Sequence, residues 1–388
     1  MKKYIWIIIC IICIWILWST VSCSLYTNEK NIDCISNTIK FSENQLEIFN
    51  EIMLSDGFAL LMEDSKLLYY KTTPHMDDNK LQTDIDYYIY DYSANEHIFL
   101  DTLHDVQISS GDYLYANNGE IYFSYQTGTD ESILSLYVLN LKERNIRSVY
   151  TSVSKLPFLF ISSLDHENII IFEPDRISEN EYSYKIMKFN TITEDMSILL
   201  ETTYNQLTGE GLLIASVYAK YGNIYTINLK NGSEYFLCIY DSNGNMTKRI
   251  LIQGLRENLV VNGNQYDVWR IYINSNTLYI KALNDKMYLY SLPNDTQNEI
   301  ILLEELTGYE ISPSLGQEGD TKQLFYQYGK KEILVYAENG NKIGNYHIDE
   351  YENNSRILKA FFANNDEWII LIIQDETLEI NIVFSFIV

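Results

Sequence analysis

Apolar and polar positions alternate along most of the chain in short segments that recur at a nearly constant interval. In each interval an apolar segment ends in an aromatic residue or leucine, and a small or polar residue follows at once. Short alternating segments bounded by turn-forming residues are typical of β-strands. Seven such endings, spaced 49, 50, 51, 50, 46 and 48 residues apart, are Tyr90-Asp91, Leu139-Asn140, Phe189-Asn190, Tyr240-Asp241, Tyr290-Ser291, Tyr336-Ala337 and Phe384-Ser385. The pattern predicts an all-β repeat protein.

Each repeat contains four predicted strands. The segment Asn223 to Leu229 is joined by a hairpin to Glu234 to Tyr240, and the apolar segment Leu212 to Val217 precedes this pair. The turn at 241–245, with the sequence DSNGN, leads into a fourth strand. Four short strands in about 50 residues are typical of a β-propeller blade, whereas helical repeats would show a period of 3.6 residues. We predict a seven-bladed β-propeller of four antiparallel strands per blade, with six or eight blades as alternatives.

The seventh repeat is too short to contain its own fourth strand, because only four residues follow Phe384. The segment Thr38-Ile39-Lys40-Phe41 is predicted to pair with the last blade and so close the ring, which would hide two sheet edges. The segment Leu46 to Met53 is an alternative donor, and it could equally form a short helix. The propeller is therefore predicted to span residues 55–388, with residues 23–54 as a tether that contains the closing strand.

The N-terminus has the pattern of an export signal. Two lysines at positions 2 and 3 precede an apolar segment from Tyr4 to Trp18, and the small and polar residues 19–22 follow. The apolar segment is shorter than the roughly 20 residues of a comfortable membrane-spanning helix, although residues 19–22 bring it near that length. Residues 1–22 are predicted to be a cleaved signal peptide or an uncleaved membrane anchor.

The end of this signal resembles the lipobox of bacterial lipoproteins. Val21 and Ser22 stand directly before Cys23, although Thr20 occupies the position where leucine is usual. Together with the repeat and the bias toward Ile, Asn, Lys and Tyr, this end makes the chain similar to the extracytoplasmic β-propeller lipoproteins of low-GC Gram-positive bacteria. The resemblance implies a lipid on Cys23 and a location at the extracytoplasmic face of the cell membrane.

Charge and cysteine content exclude several classes of protein. The formal net charge of −25 opposes binding to a phosphate backbone, so nucleic acid is not an expected partner. If Cys23 begins the mature chain, Cys34 and Cys238 are its other cysteines, which is too few for a disulfide framework. The stability of the fold must then come from packing.

The connections between second and third strands are predicted to be long in the first three repeats, at Thr73 to Asp84, Gln126 to Ser132 and Glu173 to Asn180. Loops gathered on one face of a propeller commonly bind ligands. The candidate ligand-binding residues of these loops are Asp77, Asp78, Asp84, Asp130, Glu131, Glu173, Asp175 and Arg176. Their carboxylates could hold calcium, but exposed acids are usually only solvated and the loops lack calcium-loop spacing. No other cofactor is expected.

Motifs of common catalytic classes are absent from the sequence. The five histidines, which include His75, His97 and His104, show no zinc-hydrolase spacing, and there is no GxSxG or phosphate-binding glycine loop. We expect a non-catalytic cell-surface binding or scaffold protein that engages a protein, peptide or glycan through one propeller face. An extracytoplasmic propeller enzyme that acts on glycans, as a hydrolase or lyase, is the alternative, and a rigid spacer is a third.

Lipidation of Cys23 can be tested directly. In a Gram-positive host fed with a labelled fatty acid, we expect the full-length chain to incorporate label and the Cys23→Ser variant to incorporate none, because the thiol is the acceptor. The measurement is label per chain after immunoprecipitation, with Cys34→Ser as the matched control. Equal labelling of all three chains, or no labelling of any, would favour the uncleaved anchor.

Overall fold

The structure is all-β over the residues that it describes. The computed structural model describes residues 36–38, 59–63, 66–77, 80–91, 94, 96–107, 113–116, 119–127, 133–153, 159–230, 234–261, 264–265, 267–274, 277–292, 300–311, 322–327, 332–337, 340–347, 356–363, 368–374 and 380–386. Among these, thirty strands accompany a four-residue α-helix, α1 (Leu255–Asn258), and a short 3-10 helix at Glu304–Leu306. The predicted fold class is confirmed at this level.

The strands follow one another in antiparallel groups of four, called units 1 to 7 below. Unit 1 contains β2 (Ala59–Glu63), β3 (Lys66–Asp77), β4 (Lys80–Asp91) and β5 (Glu96–Gln107). Unit 2 contains β6 (Tyr113–Ala116), β7 (Glu120–Thr127), β8 (Ile133–Asn140) and β9 (Asn145–Val153). Unit 3 contains β10 (Phe160–Ser163), β11 (Asn168–Ser178), β12 (Glu181–Asn190) and β13 (Met196–Asn205). Unit 4 contains β14 (Leu212–Lys220), β15 (Asn223–Lys230), β16 (Glu234–Tyr240) and β17 (Met246–Leu251).

A small hairpin and three further units complete the described chain. The hairpin contains β18 (Val260–Val261) and β19 (Asn264–Gln265). Unit 5 contains β20 (Val268–Asn274), β21 (Thr277–Ala282), β22 (Met287–Ser291) and β23 (Ile301–Leu302). Unit 6 contains β24 (Glu310–Ile311), β25 (Lys322–Tyr326), β26 (Glu332–Ala337) and β27 (Lys342–His347). Unit 7 contains β28 (Arg356–Ala363), β29 (Trp368–Gln374), β30 (Ile380–Phe386) and, from the N-terminal side of the chain, β1 (Ser36–Thr38).

The N-terminal strand completes the last sheet, where β1 pairs with β30 in antiparallel orientation. Ser36 lies opposite Ser385 and Thr38 lies opposite Val383. The predicted donor began at Thr38, so the pairing partner is as expected but the strand lies earlier in the chain. Residues 39–41 and the alternative donor at 46–53 lie outside the described residues.

The recurring sequence ending marks the end of the third strand in each unit, within about two residues, and in several units a side chain closes the turn that follows. The carboxamide oxygen of Asn140 accepts the backbone N–H groups of residues 142 and 143, and Asn190 does the same for residues 192 and 193. In unit 4 the carboxylate of Asp241 accepts the N–H groups of residues 243 and 245. Asn and Asp favour such turns because their short side chains reach the backbone two or three residues ahead.

Five of the fourth strands share a second repeated feature, a β-bulge opposite the last few residues of the third strand. One residue of the fourth strand is left without a pairing partner in each of five units. These unpaired residues are Leu100, Val149, Leu199, Thr247 and Ile343. A bulge increases the local twist of a strand, so its recurrence gives each sheet the same strongly twisted outer edge.

Each hydrophobic core lies between two successive units. On β11, Ile169 and Ile171 pack toward unit 2, whereas their neighbours Ile170 and Phe172 pack toward unit 4. Successive side chains of a strand point to opposite faces of its sheet, so a sheet buried on both faces needs an unbroken apolar strand. The same arrangement joins units 1 and 2, 4 and 5, and 5 and 6.

Tyrosines contribute to these cores, among them Tyr87 between units 1 and 2 and Tyr336 between units 5 and 6. Tyr87, Tyr90 and Tyr336 are almost completely buried, and Tyr88 and Tyr137 are half-buried. A buried tyrosine contributes a large apolar area while its hydroxyl can reach a polar partner at the sheet edge.

Two predicted loops are strands in the structure. Residues 73–84 belong almost entirely to β3 and β4, whose pairing continues to Asp77 and Lys80, and β11 and β12 continue to Ser178 and Glu181. These hairpins extend beyond the shared cores, so their side chains are polar although the backbone remains paired. The polar residues of these segments indicated loops. Polarity shows that side chains are exposed to solvent, but it does not show whether the backbone is paired.

The predicted signal and the site of its lipid lie outside the described residues. Among the residues described, no helix has the length and apolar character needed to cross a membrane.

The connection from unit 3 to unit 4 depends on a glycine. Gly211 has φ +94°, and a Cβ there would lie 2.1 Å from the carbonyl oxygen of Thr203. We expect Gly211→Ala to lower the free energy of unfolding by about 3 kcal/mol, since the backbone must move. Gly222→Ala is the matched control, because Gly222 has φ +72° with nothing within 4 Å, and it should cost about 1 kcal/mol. Urea unfolding of the purified variants measures both values, and equal losses would contradict this account.

Candidate functional site

The first strands of units 3, 4 and 5 lie beside one another. The hydroxyl of Ser162 on β10 donates to the carbonyl of Ala219 on β14 and accepts the N–H of the same residue, both at 2.9 Å. The rings of Tyr218 on β14 and Tyr272 on β20 lie 6.1 Å apart. These contacts place the starts of β10 and β20 close enough for their side chains to meet.

Phe160 and Trp269 meet at this position. Each stands at or next to the first residue of its strand, and their ring centroids are 6.3 Å apart with an interplanar angle of 81°. The guanidinium carbon of Arg270 lies 5.7 Å from the centroid of Phe160 and 5.9 Å from that of Trp269. Arginine over aromatic faces at such distances is a cation–π arrangement. We call these three residues the aromatic–arginine cluster.

A β-bulge exposes the indole of Trp269. Val268 pairs with Ala282 and Arg270 pairs with Lys281, so Trp269 is the extra residue between them. Bulges turn a side chain away from the direction that regular pairing would give it. Trp269 is accordingly 36% exposed, whereas Val268 beside it is 4% exposed. The cluster thus offers solvent a flat aromatic surface beside a fixed positive charge.

Glu173, a predicted ligand-binding residue, has a structural role. It is only 3% exposed, its carboxylate accepts the hydroxyl hydrogen of Tyr150 at 2.6 Å, and Lys185 lies 4.0 Å away. Burial, followed by the hydrogen bond to Glu173, raises the pKa of Tyr150. Because Tyr150 belongs to unit 2, this pair ties two units together.

Asp175 and Arg176 shape the hairpin on which they lie. The carboxylate of Asp175 accepts the N–H of Arg176 at 2.8 Å, and the guanidinium donates to the carbonyls of Ser178 and Glu179 at the hairpin tip. Asp77 is the last residue of β3, where it pairs with Lys80.

The remaining predicted site residues lie outside the described part of the chain, and the predicted acids that are described do not form one joint site. The undescribed residues are Cys23, Asp78, Asp130 and Glu131. Within the described residues, the side chains with the spacing to hold a metal ion are those of His75, Asp84 and Asp105.

Two residues of this metal-ligating group, His75 and Asp105, were not among the site residues predicted from the sequence. Desolvation lowers the pKa of His75, but the hydrogen bond to Asp105 and the negative charges of Asp84 and Asp105 outweigh it, and the net shift is upward. Asp105 carries no sequence signal, since it lies in a predicted strand. The aromatic–arginine cluster was also missed, because the sequence shows an apolar first strand near Trp269 but not the bulge that exposes it.

Comparison with known proteins identifies no family. No protein-family model matches the sequence, and no curated protein matches it. The β-propeller domain of the trilobed protease from Pyrococcus furiosus is 12% identical with a TM-score of 0.48, over 85% of this chain and 93% of that one. Oligogalacturonate lyase from Vibrio parahaemolyticus is 9% identical with a TM-score of 0.48, over 86% and 96%. The described part of the chain is all-β, and the first of these neighbours is a β-propeller domain.

The structural neighbours differ in activity. They also include Pyrococcus horikoshii acylaminoacyl peptidase, at 10% identity and a TM-score of 0.48 over 86% of this chain and 52% of that one. A function must be argued from the residues of this chain, because a fold alone does not define an activity.

The buried thiol of Cys238 should be inert. Cys238 is 3% exposed in the core between units 3 and 4, and burial raises its pKa because a thiolate would be poorly solvated there. We expect iodoacetamide at pH 8 to leave Cys238 unmodified in the native chain and to modify it after denaturation. Peptide mass spectrometry measures the modified fraction, and rapid native labelling would show that the site opens.

Proposed function

We propose that the protein is a seven-bladed β-propeller at the extracytoplasmic face of the membrane that binds a glycan, without catalysis, through the aromatic–arginine cluster. The observation that carries the proposal is the exposed, bulge-positioned indole of Trp269 beside the guanidinium of Arg270. Membrane attachment is through the lipid on Cys23 or through the N-terminal helix.

The propeller part of the proposal is supported by the repetition of one unit. Seven four-stranded antiparallel units occur in the described residues, successive units from 1 to 6 share cores, and β1 pairs with β30. A ring of such units closes when the first and last parts of the chain share a sheet, which leaves no sheet edge open between them.

Glycan binding follows from the chemistry of the cluster. The apolar face of a sugar ring can lie flat on an indole, and the hydroxyl groups at its rim can accept hydrogen bonds from a guanidinium, which has five N–H donors. A peptide would more often need an open strand edge or an apolar groove. The first strands of units 3 to 5 instead present an aromatic surface of about the size of one sugar ring.

The enzymatic alternative has less support from the described acids. Hydrolysis of a glycosidic bond needs two carboxyl groups on either side of the bond. Glu173 is bonded to Tyr150 and Asp175 caps its own hairpin, so neither faces the aromatic–arginine cluster as a free acid.

A glycan array followed by titration tests the proposal. We expect the full-length chain, purified in detergent, to bind a subset of glycans, and Trp269→Ala to weaken that binding at least about 10-fold, or about 1.4 kcal/mol, through loss of stacking. Trp269→Phe should retain part of the affinity because it keeps an aromatic face.

The matched control is Phe99→Ala, which removes an aromatic side chain that is 48% exposed on β5. Its glycan affinity should equal that of the unaltered chain. The proposal fails if no glycan binds, or if Trp269→Ala and Phe99→Ala bind the same glycans with the same affinity as the unaltered chain.

A further inference from the structure

Three adjacent strands of unit 1 bring histidine and aspartate side chains together, away from the aromatic–arginine cluster. His75 lies on β3, Asp84 on β4 and Asp105 on β5. One nitrogen or carboxylate oxygen from each of the three lies within 4.8 Å of the others, and His75 Nε2 is 3.1 Å from Asp105 Oδ1.

Strand register places the first two residues. Thr73 pairs with Asp84 and His75 pairs with Gln82, so His75 and Asp84 are diagonal neighbours on the same face of the hairpin. Diagonal neighbours in an antiparallel pair are within reach of long or aromatic side chains.

A β-bulge adds two residues from β5. Thr83 pairs with Val106 and Ile85 pairs with Leu103, so His104 and Asp105 together face Asp84. Asp105 has φ 58°, and its N–H donates to Asp84 Oδ1 at 3.2 Å. His104 Nδ1 is also 3.2 Å from Asp84 Oδ1. We call His75, Asp84 and Asp105 the His–Asp cluster, and His104 lies beside it.

We propose that the His–Asp cluster binds one divalent transition-metal ion of the zinc type. One imidazole nitrogen and two carboxylates form a three-donor set, which such ions accept with bonds of about 2.0 to 2.2 Å and with water as the fourth ligand. Donor atoms of a tetrahedral site with these bonds are about 3.4 Å apart. The distance of 3.1 Å between His75 Nε2 and Asp105 Oδ1 is close to that value.

The donor set distinguishes this site from the calcium site considered from the sequence. Calcium takes six to eight oxygen ligands, whereas imidazole nitrogen favours zinc and its neighbours in the first transition series. The side chains of His75 and Asp105 are 36% and 60% exposed, so an ion can reach them from solvent with little rearrangement.

The ion would stabilise a junction between two units. Next to the cluster, Val106 and Gln107 of β5 pair with Thr127 and Gln126 of β7, which joins units 1 and 2 in one sheet. An ion that links β3, β4 and β5 therefore holds the end of β5 in the position from which it pairs with unit 2.

Zinc titration of the full-length chain tests this assignment. After removal of metal with a chelator and alkylation of accessible cysteines, calorimetry with zinc chloride should give one ion per chain. We expect His75→Gln and Asp105→Asn each to weaken binding by about 10-fold or more, because each removes one donor. The matched controls are His166→Gln and Asp195→Asn, which change exposed residues outside the cluster and should bind zinc like the unaltered chain.

Thermal unfolding gives a second, independent result. An ion that binds only the folded chain raises its Tm, so zinc should raise the Tm of the unaltered chain and of both controls but not that of the two cluster variants. Circular dichroism before the titration verifies that all four variants fold. The proposal is overturned if the unaltered chain binds no zinc, or if the cluster variants bind zinc and gain Tm as the controls do.

Discussion

Burial of both faces of a sheet is the constraint on which the rest of this structure depends. A sheet of four short strands cannot form a stable core alone, so each of units 2 to 5 shares one core with the unit before it and another with the unit after it. The alternation on β11, where Ile169 and Ile170 belong to different cores, shows this at single-residue scale. Tyrosine suits such cores because it is large and flat and keeps a polar group for the sheet edge.

This constraint also determines where polar chemistry can lie. The middle of each strand is committed to packing, so polar clusters occur where strands start, where hairpins extend past the cores, or where a bulge changes the direction of a side chain. Trp269 and the pair His104 and Asp105 both depend on bulges. Glu173 is the contrasting case of a buried polar group. Its part of the hairpin lies between two units, so its carboxylate is a buried hydrogen-bond acceptor.

The repeat was predictable because it depends on local sequence patterns. Apolar strands, the aromatic residue or leucine near the end of each third strand and the Asx turns that follow several of them are such patterns, and Tyr90 and Asn140 are examples. The bulges were not predictable, since no residue type marks Trp269 or Asp105 as unpaired. Residues 73–84 were assigned to a loop for the related reason that polar side chains on a solvent-exposed hairpin resemble those of a loop. The residues of both candidate sites are therefore positioned by bulges in the backbone pairing, and the sequence does not show these bulges.

The pairing of β1 with β30 has a mechanical consequence. Among the described residues, three residue pairs, from Ser36 to Thr38, join the N-terminal strand to the last sheet. A pulling force applied to the chain ahead of β1 would act on these pairs first. Because the pairs are few, a small force can separate them while the shared cores stay intact. Release of β1 would uncover the hydrogen-bonding groups of β30, and an extended segment of another protein could then occupy that edge. The last sheet is thus the point at which tension could be converted into a new binding surface.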